Sequence, residues 1–517
     1  MELKVFKSTI TAYSGRWETR LELPVETEIL IPDYLPAVFK IVKCLIEPVV
    51  MQNNIAASRW QGEGYLRCTV YYQSDEAGTR LYRTEQKFSF EKAVELPAGQ
   101  YVEGPARLWG ELEYCNCRAI SEHRIDLRGA YALCVSANAV AECELLNSLA
   151  DCGIEQRTVT MEGVAPVAAE EKTFTAEGNI GLPGAGETIL DIGGTASLQV
   201  TSVQTGQVNC EGSLRIQACY LPVSSEEIAV CQKELPLRQT VELPGVAEGD
   251  LCCCWGEVLG CTLTAAEGEE LEPVLNVTWK LHIEAWRAGQ YMAVADAYST
   301  VCQTALTRMS YKLLQKRSDL SATVNAVVED ALPDPDVEVK GCFVTLGALL
   351  PVQEKGENGD RVCLTGKATA HLLCSDARGE LTCYDKTFSW QLPDRWQGEA
   401  AQFLPHLHAA AARVASGKSG EKMRVEVEIA VSGILLEAVE TTAVEEVELG
   451  EMFPDKNQGP ALYLYYAAQG ERIFDIAKHY HARAKDLAAA NHLEPENGGS
   501  LQEMTTGAAC LLIPAAL

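Results

Sequence analysis

Gly64-Tyr-Leu-Arg-Cys-Thr-Val-Tyr-Tyr72 decides how this chain is read, because its side chains change character at every step. Leu66, Cys68 and Val70 fall on one face of an extended backbone, and Tyr65, Arg67 and Thr69 on the other. That is the period of a β-strand with one buried side. The pattern returns 148 residues later as Gly212-Ser-Leu-Arg-Ile-Gln-Ala-Cys-Tyr220. A weaker copy, Gly366-Lys-Ala-Thr-Ala-His-Leu-Leu-Cys374, follows after a further 154. A long internal repeat of this kind takes precedence over any local assignment.

Other landmarks keep step. Val94-Glu-Leu-Pro97 recurs as Val241-Glu-Leu-Pro244, and Trp109-Gly-Glu-Leu112 as Trp255-Gly-Glu-Val258, at offsets of 147 and 146. Lys87-Phe-Ser-Phe90, Glu234-Leu-Pro-Leu237 and Thr387-Phe-Ser-Trp390 stand at similar distances from their glycines. The third copy has Phe403-Leu-Pro-His-Leu-His408 where the others have Trp-Gly-Glu, and is the most divergent. Three modules result, over residues 1–155, 156–306 and 307–438, followed by an acidic linker over 439–460 and a small domain over 461–517.

Alternating runs at 124–135, 275–286 and 423–431 close the copies, and Gly or Pro punctuates between them. Strands every dozen or so residues with few helical stretches predict a mainly β fold, as three tandem β-sandwich or barrel-like modules. Tyr34 to Cys44 is a helix candidate from Val38, Ile41, Val42 and Leu45, although the same run reads as a buried strand. Glu437 to Asp455, rich in like charges, reads as an extended linker, while Val444, Val447 and Leu449 leave a terminal strand open.

The copy spacing, Ile31-Pro32-Asp33 with its echo Leu332-Pro333-Asp334, and Asp296-Ala-Tyr-Ser-Thr300 after the second copy resemble the SPOCS domain family. The resemblance implies a spore-coat association, with tandem SPOCS modules ahead of a C-terminal LysM domain in endospore-forming Clostridia.

The C-terminal residues fit that arrangement. An apolar strand from Leu462 to Ala467 stops at Gly470, where a residue without Cβ can turn the chain. Ile473, Ile476, Ala477 and Tyr480 form one helical stripe, with Glu471, Asp475 and Lys478 expected in water. A second helix begins near Ala484, with Leu487 and Ala490 inward and Asn491 as a left-handed cap, and Leu511 to Ile513 supplies the last strand. This βααβ order resembles a LysM domain, which implies a shallow groove between the loop after the first strand and the loop after the second helix. The matching positions are Gln469, Gly470, Glu471, Arg472 and Ile473, and Asn491, His492 and Leu493. Where the family carries Gly-Asp-Thr this chain has Gly470-Glu471-Arg472, so an N-acetylglucosamine-containing glycan and a protein both stay open as ligands.

The 517-residue chain exceeds one hydrophobic core and carries a net charge of −29, which repels phosphate backbones and makes nucleic acid an unfavourable partner. Met1 to Gly15 lacks the apolar run of a signal peptide, so the product is expected to stay in the cytosol. No stretch is long and apolar enough for a transmembrane segment. Twenty cysteines without a C-x-x-C pair predict reduced thiols and no metal site. Cys68, Cys134, Cys219, Cys363 and Cys374 sit inside strand-like runs, where a thiol behaves as a small hydrophobe.

Catalytic machinery is not visible: G-x-S-x-G and H-E-x-x-H are missing, and Gly181 to Thr188 lacks a phosphate-loop lysine. His406 and His408 read as structural, His479 and His481 as a solvated helix end, and Glu267, Glu269, Glu270 and Glu272 as a solvated loop. No cofactor is expected. The resemblances imply a non-enzymatic scaffold in the mother-cell cytoplasm that tethers spore coat assembly proteins at the forespore surface. Its LysM-like domain would bind a coat-basement protein or cortex peptidoglycan. The alternative is a peptidoglycan hydrolase with a LysM targeting domain, its carboxylates assembled in space.

Overall fold

The computed structural model describes residues 2–74, 80–182, 188–223, 227–264, 273–332, 336–356, 359–420, 422–453, 462–494 and 504–514. Pro333 and Asp334, most of the glycine-rich stretch after Gly181, the glutamates at 267–272 and the end of the acidic stretch lie outside them. The protein is mainly β, 78% strand and 4% helix, in several sheets. Among the described residues no helix is long and apolar enough to cross a membrane.

The alternating sequence forms strands in three stretches. The first holds β1 (Lys4–Leu30), β2 (Lys40–Ala56), β3 (Arg59–Gln73), β4 (Leu81–Glu95), β5 (Gln100–Tyr101), β6 (Arg107–Ser121) and β7 (Arg124–Ala150). The second holds β8 (Ile154–Asn179), β9 (Thr188–Gln204), β10 (Gln207–Leu221), β11 (Ala229–Glu242), β12 (Leu251–Thr264) and β13 (Val274–Ser299). The third holds β14 (Cys302–Ala331), β15 (Glu338–Glu354), β16 (Arg361–Ser375), β17 (Leu381–Gln391), β18 (Trp396–Gln397), β19 (Phe403–Ser419) and β20 (Lys422–Met452).

Antiparallel pairing follows one scheme in each stretch. The long closing strand lies between the long opening strand and the strand before it, as β7 does between β1 and β6, β13 between β8 and β12, and β20 between β14 and β19. A meander centres on β3, β10 or β16, each paired on both sides, and the second of them joins the long strands where Ala196 of β9 pairs with Gly256 of β12. Each stretch encloses its own apolar core, around Trp60 and Leu66 in the first, Leu214 and Trp279 in the second, and Leu364 and Phe403 in the third. The repeated glycines have a steric reason. A Cβ on Gly64 would stand 2.2 Å from the Val49 carbonyl oxygen, and one on Gly212 only 1.9 Å from that of Ser197. The central strand of the meander approaches its neighbour too closely for any side chain there.

Shared clusters join the stretches. Tyr71 and Leu81 meet Leu190 and Leu221, and Leu373 and Leu381, in one buried hub. The outer halves of the long strand pairs form three ribbons that pack through Ile10 and Leu145, Met161 and Ala293, and Tyr311 and Leu313. Turns at residues 151–153 and 300–301 connect one ribbon to the next, with Asp151, Cys152 and Gly153 in the left-handed region.

Pairing decides two readings that the sequence left open. Lys40–Ala56 is strand rather than helix, since it pairs with β3 along its length from Lys40 to Ala56, whereas the helical stripe spanned only two turns. Residues 439–452 are not a linker. They complete β20, where Leu449 pairs with Thr304, Val447 with Leu306 and Val444 with Arg308. Ala443 and Val444 are buried there, and Lys312 lies 3.8 Å from Glu440, so the β14 ladder organises the acidic run. The expected boundaries at 155, 306 and 438 all fall inside strands.

The C-terminal residues form β21 (Leu462–Ala467), α1 (Ile473–His479), α2 (Ala484–Ala490) and β22 (Ala509–Pro514), with β21 and β22 antiparallel. Ile473, Phe474, Ile476, Ala477, Leu487, Leu511 and Ile513 make its core, which Tyr298 from the end of β13 enters. The Tyr298 hydroxyl donates to the Ala482 carbonyl at 2.7 Å, and its ring meets Phe474 edge-on. Lys478 is half-buried and paired: its ammonium sits 2.6 Å from Asp296, which also holds Arg308 at 3.0 Å. His481 stacks on Phe453 with centroids 4.1 Å apart. The end unit is thus seated on the ribbon tip instead of hanging from an extended tether.

Candidate functional site

Strand and helix ends place the eight expected groove residues. Gln469, Gly470, Arg472 and His492 are exposed, Glu471, Asn491 and Leu493 are half-buried, and Ile473 is fully buried. Glu471 closes its own loop, accepting from the Tyr465 hydroxyl at 2.5 Å and from the Ala468 amide at 3.1 Å. Asn491 is not a left-handed cap, since its φ is −108°; His492 takes that conformation with φ 53°. The Asn491 side chain instead donates to the Leu487 and Leu512 carbonyls and accepts from the Leu512 amide, tying α2 to β22. The Ile473 amide donates to the Met504 carbonyl, and Leu493 and Met504 pack on the same core, which is how the two loops flank one segment. Four of the eight residues therefore shape the loops, and among the exposed four Gln469, Arg472 and His492 carry side chains able to meet a ligand.

Sequence reading missed the outer face of the small sheet. Leu462, Leu464 and Tyr466 alternate onto one side of β21, and Leu512 lies directly opposite Leu464. Their exposures of 50%, 60%, 79% and 39% make an apolar stripe on the surface. The period of two was legible, but not that both strands would turn this side outward.

The repeated Trp-Gly-Glu signature also finds a place. Trp109 and Trp255 line a cavity of about 330 Å³ walled by residues of all three repeats. Beside it lies a charged network that the sequence did not disclose. Lys280 is 2% exposed, and its ammonium donates to the Val50 carbonyl at 2.7 Å and to Glu171 at 2.8 Å. Glu171 also accepts from Asn53, whose amide oxygen receives the Trp60 indole N–H. His282 stands between Glu171 at 3.1 Å and Glu257 at 3.3 Å, with the Trp255 ring stacked on its imidazole.

Burial alone would lower the His282 pKa, but the two carboxylates outweigh it and hold it at about 9. Burial would raise Glu171, yet His282 and Lys280 bring it down to about 2. Glu257 is lowered too, the pull of His282 exceeding its burial. Two cations thus balance two carboxylates, and neither carboxyl retains a proton at neutral pH to act as a general acid. His408 enters the same cavity, where burial pushes it down to about 4 despite Glu257 nearby. His406 pairs with Glu284 at 2.7 Å and meets Trp286 edge-on. The two histidines of β19 therefore serve different neighbours. Among the described residues no group of three His, Cys, Asp or Glu side chains is arranged to hold a metal ion. All twenty cysteines are free thiols, and Cys510 is the exposed one.

No curated protein matches the chain in sequence. Residues 187–265 match the model of the family described as SipL, SPOCS domain. The matched stretch runs across β9, β10, β11 and β12 and contains both Gly212-Ser-Leu-Arg215 and Trp255-Gly256-Glu257. The meander and the signature strand of the second repeat are therefore the part of this chain that is similar to a SPOCS domain.

Proposed function

We propose that this protein is a non-enzymatic scaffold of the developing spore envelope, in which three SPOCS-like modules and a LysM-like end unit tether coat-assembly proteins at the forespore surface, on the mother-cell side. The observation that carries this reading is the SPOCS match at residues 187–265, in a chain whose other two stretches repeat the same strand wiring. Three modules with separate cores offer several surfaces on one body, and modest contacts held in one chain raise avidity through effective concentration.

A coat-basement protein is the better-supported ligand of the end unit, because the stripe of Leu462, Leu464, Tyr466 and Leu512 suits an apolar protein surface. Gln469, Arg472 and His492 would form its polar border. Affinity capture from sporulating cells should compare the full chain with the doubly substituted Leu464→Lys, Tyr466→Ser chain. Loss of captured coat proteins, with binding to purified cortex glycan unchanged, is the expected outcome. Equal capture by both chains would reject this face, and lysis of purified wall by the native chain would overturn the scaffold reading.

A further inference from the structure

A second cavity, of about 300 Å³, opens between the three repeats. Its wall carries four guanidinium groups, from Arg67 on β3, Arg83 on β4, Arg215 on β10 and Arg413 on β19. Two carboxylates share it, Glu47 and Asp191. Four cations against two anions leave an excess of positive charge in a chain whose net charge is −29.

Internal pairing does not use up these arginines. Arg67 is engaged, donating to Glu47 at 3.0 Å and to the Leu259 carbonyl at 3.4 Å. Arg83 gives one terminal nitrogen to Glu85 at 2.6 Å, but its Nε is buried with no partner among the described residues. Arg215 and Arg413 form no salt bridge among the described residues, and both are exposed. Asp191 likewise forms no ion pair there, and burial holds its carboxyl above the usual range although Arg83 and Arg67 oppose this. Arg67 and Arg215 occupy the same place in the repeat, three residues after Gly64 and Gly212, so tertiary packing brings two copies of one arginine to one chamber. A buried donor without a partner is unfavourable, and a guanidinium fork matches a carboxylate or phosphate in a bidentate manner.

We propose that this inter-repeat cavity binds a small multivalent oxyanion, one carrying at least two carboxylate or phosphate groups, through Arg83, Arg215 and Arg413. Arg67 stays with Glu47 and positions the wall. The ligand bridges the second and third repeats to the first, so its binding stiffens the body at the point where the three meet.

Calorimetric titration of the full chain with citrate, and separately with pyrophosphate, at low ionic strength tests this. Saturable binding with a raised melting temperature is expected for at least one probe, and preference between the two identifies the carboxylate or the phosphate source. The Arg215→Gln, Arg413→Gln double variant, altered only at exposed positions, should bind at least tenfold more weakly, with unchanged circular dichroism and ligand-free melting temperature. Asp191→Asn, which removes a repelling carboxylate, should bind severalfold more tightly, a change that a merely structural Asp191 would not produce. Absence of heat with both probes at millimolar concentration, or equal affinity in the double variant, would overturn the proposal.

Discussion

Replacing His282 with Gln tests the charged network directly. Gln preserves a polar side chain beside Glu171 but removes the positive charge between two carboxylates. In the folded protein His282 titrates at about 9, against an ordinary 6.5. Because the pKa is raised, its contribution is complete below pH 6.5 and disappears as pH rises through 9. The difference between about 9 and 6.5 corresponds to roughly 3 kcal/mol at about 1.36 kcal/mol per tenfold change in proton affinity. The low pKa of Glu171 reports the same contact from the other side, so the two shifts are not summed. Urea midpoints followed by tryptophan fluorescence should show the native chain more stable than His282→Gln at pH 6, with the gap closing by roughly 3 kcal/mol by pH 10. At the acid end the Glu171 contribution, present above 4.5, should be lost as pH falls through 2. A gap that stays constant from pH 6 to 10, or a His282 titration midpoint at 6.5 or below by ring-proton NMR, would falsify the argument.

Gly212→Ala should destabilise the fold by about 3 kcal/mol, measured by urea unfolding, because the new Cβ meets the Ser197 carbonyl rather than a movable side chain. Tyr298→Ala should release the end unit from the ribbon tip; small-angle scattering would show a larger radius and hydrogen exchange would speed up in α1, while unchanged values in both would contradict the docking described here. Titration of the native chain with a thiol reagent should show a single fast-reacting cysteine, lost in Cys510→Ser, since the other nineteen are buried or half-buried.

Much of the local structure was legible. Period-two alternation identified β3 and β10, and the recurring glycine marks a strand-to-strand approach that leaves no room for Cβ. The Ile473, Ile476, Ala477 stripe anticipated a buried helical face. Reading failed where a local signal competed with a distant partner. The acidic residues of 439–452 resemble a linker until β14 is set beside them, and Asn491 resembles a helix cap until β22 offers its backbone. Lys478 resembled a solvated residue because Asp296, its partner, is 182 positions away.

Sequence by itself determined strand alternation, the threefold recurrence of motifs and the apolar faces of the end unit, since each follows from the geometry of a few neighbouring residues. Tertiary structure alone decided that Lys280 and His282 would neutralise Glu171 and Glu257, that two repeat arginines would face one cavity, and that the end unit would sit on Tyr298. These depend on how separate repeats pack, and burial converts ordinary surface charges into groups that must find partners.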